Sequence, residues 1–300
     1  MSVLVVGSVA LDSVETPFGK VDEAIGGSGT YFSASASYFT DVNVVAVVGE
    51  DFPHDQIQFL KDRRVNFDGL VERQGKTFRW GGKYETDINQ RKTLFTHLNV
   101  FENFDPVLPD HYKKTPYIFL ANIHPDLQQK VLDQIEKPRL VVMDTMNFWI
   151  EGTPDSLRRV LKSIDILIVN DSETKQLADD PNLISAARKI QAMGPKILVI
   201  KKGEHGALMI HDEGYFWAPA FPLSAIQDPT GAGDTFAGGF VGYLAKMDDF
   251  SGKTLKRAII YGSTMASFCV ERFSLDRLRD LTQAQIDARY RQFIELTRVE

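Results

Sequence analysis

Cysteine is almost absent from the chain: Cys269 is the only one. A lone thiol closes no intramolecular disulfide and builds no cysteine-cluster zinc site. It lies in the apolar run Ala266-Ser267-Phe268-Cys269-Val270 and reads as a small core residue. Basic charge is also short. Lys and Arg number 34 against 40 Asp and Glu, a formal net charge of −6, so there is no electrostatic footprint for nucleic acid or an anionic membrane. No apolar run approaches the length of a membrane span. The N-terminus lacks a basic segment, and Asp12 interrupts its apolar run, so it does not read as a signal peptide. The expected location is therefore the cytoplasm. Two phosphate motifs are missing. No Gly-x-x-x-x-Gly-Lys-Ser/Thr run occurs, which excludes a P-loop. Only Gly7 follows the first strand signal, without the Gly-x-Gly-x-x-Gly of a dinucleotide site. Neither an internal repeat nor a low-complexity segment is present.

What is present is an ordinary globular composition, 43% hydrophobic and 25% charged over 300 residues. That length fits one large α/β domain with an insertion. Continuous apolar runs such as Val3-Leu4-Val5-Val6 and Ile166-Leu167-Ile168-Val169 predict strands buried on both faces, as in a parallel sheet. Further strands are predicted at 42–48, 67–71, 116–120, 140–143 and 196–200. Helical spacing predicts helices at 30–39, 53–63, 126–135, 154–161 and 253–270. This alternation is the pattern of a doubly wound sheet. From Gln74 the composition changes. Segments 77–84 and 91–98 read as strands joined by the turn-rich Glu85 to Gln90. With Ser13 to Ile25 they predict a small antiparallel sheet whose second face needs a ligand or a second subunit. The expected division is a core of residues 1–12, 26–73 and 100–300, with a lid of 13–25 and 74–99 inserted into it.

The most informative stretch is Asp228-Pro229-Thr230-Gly231-Ala232-Gly233-Asp234-Thr235-Phe236-Ala237-Gly238-Gly239-Phe240. Pro229 pushes Asp228 toward an extended conformation. Gly231 and Gly233 allow close backbone approach. Phe236, Phe240 and Leu244 then recur at four-residue spacing, as on a helix. A glycine turn feeding a helix start presents unpaired N–H groups at the positive end of a dipole, an anion site. Asp234 sets a carboxylate beside it. An anion cradle with a fixed carboxylate suits phosphoryl transfer to a hydroxyl.

Asp228 to Asp234 resembles the C-terminal signature of the ribokinase-like (PfkB) carbohydrate kinases, and weaker motifs follow in that family's order from Val3 to about Ser274. The resemblance implies an α/β fold, ribokinase-like: a doubly wound, mostly parallel sheet flanked by helices, with a small β-sheet lid. It implies that Gly231, Ala232 and Gly233 form the anion hole and that Asp234 is the catalytic base. Asp12, past the first strand, would hold substrate hydroxyls, and the Gly26-Gly27 pair would let substrate sit against backbone. Tyr31 stands where the family usually has an asparagine that contacts the sugar. Asn170 and Glu173 resemble the Asn-x-x-Glu motif that orders Mg²⁺ and the phosphates, the metal being held through water. The same residues also fit a helix cap. Lys202, Gly203 and Gly206 would lie along ATP, with Thr230 near it. Asp228 and neighbouring carbonyls would form a monovalent-cation site, for K⁺ or a similar ion. Small residues at Ala258, Gly262, Ser263, Ala266 and Ser267 would let adenine approach the helix over 253–270. His205 is assigned no role.

The expected activity is thus ATP-dependent phosphorylation of a sugar hydroxyl. A nucleoside is the alternative acceptor, because Tyr31 and the lid aromatics Phe78, Trp80 and Tyr84 offer base stacking in place of the sugar contact; those rings can equally fill the lid's own sheet. A non-catalytic nucleotide or sugar sensor is a further alternative, opposed by the intact Asp234. Family members often pair through the lid, so the resemblance also implies a homodimer.

Overall fold

A strand that is apolar at every position has to be covered on both faces. The computed structural model, which describes residues 1–85, 87–88 and 90–298, meets that demand with a nine-stranded sheet. The two undescribed positions 86 and 89 fall within the predicted Glu85 to Gln90 turn. The chain opens with β1 (Ser2–Val6), β2 (Ala10–Thr16), β3 (Gly19–Gly26), α1 (Ser28–Ala36), β4 (Asp41–Gly49), α2 (Gln58–Asp62) and β5 (Val65–Arg73). Then follow β6 (Phe78–Tyr84), β7 (Arg91–His97), β8 (Tyr117–Leu120), α3 (Pro125–Leu132), β9 (Leu140–Asp144), α4 (Asn147–Gly152) and α5 (Pro154–Leu161). Next come β10 (Ile166–Asn170), α6 (Asp171–Ala178), α7 (Leu183–Gln191), β11 (Ile197–Lys201), β12 (Ala207–His211) and β13 (Gly214–Ala218). The C-terminal part is helical: α8 (Ala232–Met247), α9 (Gly252–Cys269), α10 (Asp276–Arg279) and α11 (Gln283–Thr297).

The large sheet has the order β13-β12-β11-β10-β9-β8-β1-β4-β5. It is parallel except where β12 pairs with β11 and β13. Side chains alternate across each strand, so the sheet divides the interior into two cores. Val3, Val5, Val142, Ile168 and Val199 face α1, α8 and α9. Leu4, Val6, Met143, Val169 and Ile200 face the α3–α7 side. Phe236, Phe240 and Leu244 of α8 are buried as their spacing predicts. Each contributes about 1.5–3 kcal/mol by leaving water. Among the described residues no helix is long and apolar enough to cross a membrane.

The second sheet has four strands in the order β3-β2-β6-β7. It is not wholly antiparallel, as expected from sequence, because β2 and β6 run parallel. The chain leaves β3 for the core before it returns as β6, and a long crossover of that kind permits parallel pairing. The strand also starts earlier than expected. Asp12 is on β2, paired with Trp80 of β6, so it belongs to the lid sheet and not to the end of the core strand. The lid is tied down at one corner. Asp51, just past β4, accepts hydrogen bonds from the Thr77 amide and hydroxyl, each 2.7 Å, and pairs with Arg79 at 2.7 Å.

Candidate active site

Gly231 takes a left-handed φ of 73° that turns the chain into α8. A Cβ there would sit 2.4 Å from the Tyr31 ring, so only glycine fits between that ring and the turn. Tyr31 is 2% exposed and supports the turn from below. Its ring packs on the predicted anion hole and does not stand open toward an acceptor. The amides of Gly233 and Asp234 have no hydrogen-bond acceptor among the described residues. They point outward at the N-terminus of a 16-residue helix, where an anion is stabilised. Asp228 clips the turn. Its two oxygens accept from the Thr230 amide at 2.8 Å and the Ser274 amide at 3.2 Å, and it is 1% exposed.

Asp234 stands in the first turn of α8. Burial raises its pKa, Asp144 raises it further, and Lys201 and Arg91 pull it back; the result is about 7. A carboxylate near neutrality is suited to take a proton from a hydroxyl. Asp12 is also pushed to about 7, by burial first, against the pull of the Gly27 amide and with Asp228 and Asp234 adding to the rise. Gly26 leaves room for it: a Cβ there would lie 1.9 Å from Asp12 Oδ2. The Gly26-Gly27 pair thus makes space for the aspartate as well as for any ligand.

Asn170 and Glu173 form a capping box. The Glu173 amide donates to Asn170 Oδ1 at 2.7 Å, and the Asn170 amide donates to Glu173 Oε2 at 2.8 Å. The helix-cap reading of this pair is therefore what the geometry shows, and the cap leaves Glu173 Oε1 out of that exchange. Burial raises the Glu173 pKa to about 7, with Lys201 opposing and Asp144 adding to the rise. Among the described residues no three His, Cys, Asp or Glu gather as a metal cage. The donor set fits Mg²⁺ that arrives on nucleotide phosphates and keeps its waters, which Glu173 can accept from.

Lys201, the last residue of β11, and Lys202, just past it, take different partners. Lys202 turns to the α6 side and pairs with Asp171 at 3.3 Å. Lys201 shares the face of Val199 and pairs with Asp144 of β9 at 2.9 Å. A cavity of about 410 Å³ runs beside them, lined by Gly203, Gly206, Phe221, Ala232, Gly233 and Ser263 among others. Ala266 and Ser267 of α9 and Val270 just past it also line it, whereas Ala258 and Gly262 do not. Gly262 is spent on helix packing, since a Cβ there would be 2.9 Å from the Phe236 carbonyl oxygen.

The lid reaches into this region. Tyr84 is buried and accepts a hydrogen bond from the Thr230 hydroxyl at 3.3 Å. Ile88 lines the cavity. Arg91 lies near enough to Asp12, Glu173 and Asp234 to lower the pKa of all three. Its guanidinium is 5.1 Å from the centre of the Trp80 ring, and Trp80 in turn lies over Gly82. Phe78 stacks on Phe101 at 5.3 Å. The lid aromatics thus fill the lid and its joints. Asp144, Lys201 and Arg91 were not singled out from sequence. Strand parity at β11 was the one signal that could have found Lys201.

Comparison with known proteins agrees with this geometry. The family model described as "pfkB family carbohydrate kinase" matches residues 2–279. A cytidine kinase of Thermococcus kodakarensis is 28% identical over 247 residues, 80% of this chain and 87% of that one. Aminoimidazole riboside kinase from Salmonella enterica, solved with aminoimidazole riboside and an ATP analog, superposes with a TM-score of 0.78 at 19% identity. That match covers 97% of this chain and all of the other. A protein described as a ribokinase II from E. coli, in complex with ATP and Mg²⁺, gives 0.79 at 18% identity over 98% of this chain and 99% of its own. The chain belongs to the pfkB family of carbohydrate kinases, phosphotransferases with an alcohol group as acceptor.

Proposed function

We propose that this kinase transfers the γ-phosphoryl group of ATP to a hydroxyl of a nucleoside, with Asp234 as the general base. The observation that carries the chemistry is Asp234 at the start of α8, with a pKa near 7 and unpaired amides beside it. The acceptor hydroxyl gives its proton to Asp234 as its oxygen attacks the γ-phosphorus. The Gly233 and Asp234 amides, shaped by Gly231 and Ala232, take up charge on the transferring group. Asp12 accepts hydrogen bonds from acceptor hydroxyls and so fixes which one faces Asp234. The cavity along Gly203, Gly206 and α9 holds the nucleotide. Mg²⁺ neutralises its phosphates when bound, and Asn170 and Glu173 hold the waters around that ion. The lid excludes bulk water, which would otherwise compete as acceptor.

The choice of a nucleoside rests on the cytidine kinase, which this chain resembles over most of both lengths. A free sugar is the second reading, favoured by Asp12, which suits vicinal hydroxyls whether or not a base is attached. Coupled ADP release across a panel of nucleosides, pentoses and hexoses separates them. Turnover with nucleosides alone supports the first reading, and turnover with free sugars alone refutes it. ATP binding without transfer to any acceptor refutes the kinase assignment to this site.

A further inference from the structure

Lys201 has no part in the machinery set out above, yet its ammonium lies against the start of α8. Its ammonium is 2.9 Å from Asp144 Oδ2, and its side chain is 19% exposed. It lines the nucleotide cavity together with Ala232 and Gly233. A Cβ added to Gly233 would lie 3.0 Å from Nζ, so the missing side chain is what brings the charge against the helix start. Asp144, Glu173 and Asp234 all act on this lysine electrostatically. Three carboxylates around an anion site repel a triphosphate. Backbone amides supply partial charges only. Lys201 puts a full positive charge directly against that helix start, where the other cation near these carboxylates, Arg91, comes from the lid. An ion pair present only for stability would have no reason to face the cavity.

We propose that Lys201 is a catalytic residue that binds the transferring phosphoryl group, and that Asp144 is the positioning residue that holds its ammonium beside Gly233. The proposal rests on the kinase reading of this site. In the transfer, the acceptor oxygen bonds to the γ-phosphorus while the bond from that phosphorus to the β–γ bridging oxygen breaks. The acceptor proton passes to Asp234, and ADP leaves with the additional charge on its β-phosphate. Lys201 keeps its protons throughout and stabilises the non-bridging γ-oxygens. Lys202, one residue on, is committed to Asp171 on the other face of the sheet and does not share this role.

The test compares wild type with Lys201→Met, Lys201→Arg and the double variant Lys201→Met/Asp144→Asn. Two readouts are needed: ATP and ADP affinity by calorimetry in the presence of Mg²⁺, and kcat with an accepted substrate. Lys201→Met should lose affinity for ATP by a larger factor than for ADP, and kcat should fall about 10²- to 10³-fold, as on removal of an anion-hole donor. Lys201→Arg should retain part of both. The double variant carries no unpaired buried charge, so it should recover the melting temperature of wild type while kcat stays low. Recovery of kcat in the double variant would show that Lys201 only neutralises Asp144, and would overturn the proposal. An unchanged ATP-to-ADP affinity ratio in Lys201→Met would overturn it as well. The affinity ratio needs no acceptor, so if wild type binds ATP but phosphorylates nothing, the kinase reading fails while the ratio still decides the role of Lys201.

Discussion

Replacing Asp234 by Asn should make the protein both inactive and more stable. The carboxyl is held near pKa 7, from an ordinary 3.8, chiefly by burial and by Asp144. That rise is roughly three units, which at about 1.36 kcal/mol per unit is at most about 4 kcal/mol of cost for the ionised form. The group keeps some contact with solvent, which screens part of the effect. About half, ~2 kcal/mol, is the expected gain on substitution at pH 8. For a chain of 300 residues that is a melting shift of roughly 3 °C. The sign follows from linkage. An acid whose folded pKa is raised contributes stability below its unfolded pKa and loses it as pH rises through the folded value. The melting advantage of Asp234→Asn should therefore be largest above about pH 7 and shrink as pH falls toward the ordinary carboxylate value of 3.8, below which the wild-type carboxyl is mostly neutral in both states. Turnover should fall by about 10²- to 10⁴-fold, the usual contribution of a general base, with ATP affinity nearly unchanged. Melting curves from pH 5 to 8.5 and coupled ADP release measure the two effects. Turnover within about tenfold of wild type would refute Asp234 as the base. A melting gap that does not vary with pH would refute the burial argument.

In wild type, kcat/KM should rise with pH through about 7 and level off above it, because Asp234 must be ionised to accept a proton; a flat profile from pH 6 to 8 contradicts this. Gly231→Ala should cost both stability and activity, since its Cβ meets the Tyr31 ring at 2.4 Å and its φ of 73° disfavours a side chain. Measurement of melting temperature and of ATP affinity checks it. Asp12→Asn should raise the acceptor KM by about 10- to 150-fold, equivalent to about 1.5–3 kcal/mol for lost hydrogen bonds to a charged group, while leaving the ATP KM alone. Equal effects on the two substrates would place Asp12 elsewhere in the reaction. Arg91→Ala should lower kcat without altering the melting temperature by more than about a degree, because an exposed arginine contributes little to stability.

The central sheet was legible in the sequence because a doubly buried strand leaves an unbroken apolar run. The helix at Pro154–Leu161 was read to the residue, since a proline at its first position fixes where it starts. The short α4 and the separate α7 were not singled out, although Asn182 caps α7 by accepting from the Ile184 and Ser185 amides. The parallel pairing of β2 with β6 was misread as antiparallel, because pairing direction depends on the path of the chain between the strands and not on their composition. The site divides the same way. Asp234, the glycine turn and Asn170–Glu173 lie in contiguous motifs, so they can be proposed from local sequence. Asp144, Lys201 and Arg91 come from β9, β11 and β7, and their meeting point exists only once the sheets are assembled. Tyr31 was noticed as a departure from the family pattern, but its place beneath Gly231 required the packing.

Asp12 rides on β2, so on its proposed role the grip on the acceptor and the position of the small sheet would be a single mechanical unit. Under reciprocal linkage, whatever free energy the acceptor gains from Asp12 biases the cover toward closure by the same amount. On that reading, wasteful hydrolysis in the absence of acceptor would be held back by architecture, since the strand proposed to seal out water is the strand the acceptor would grasp.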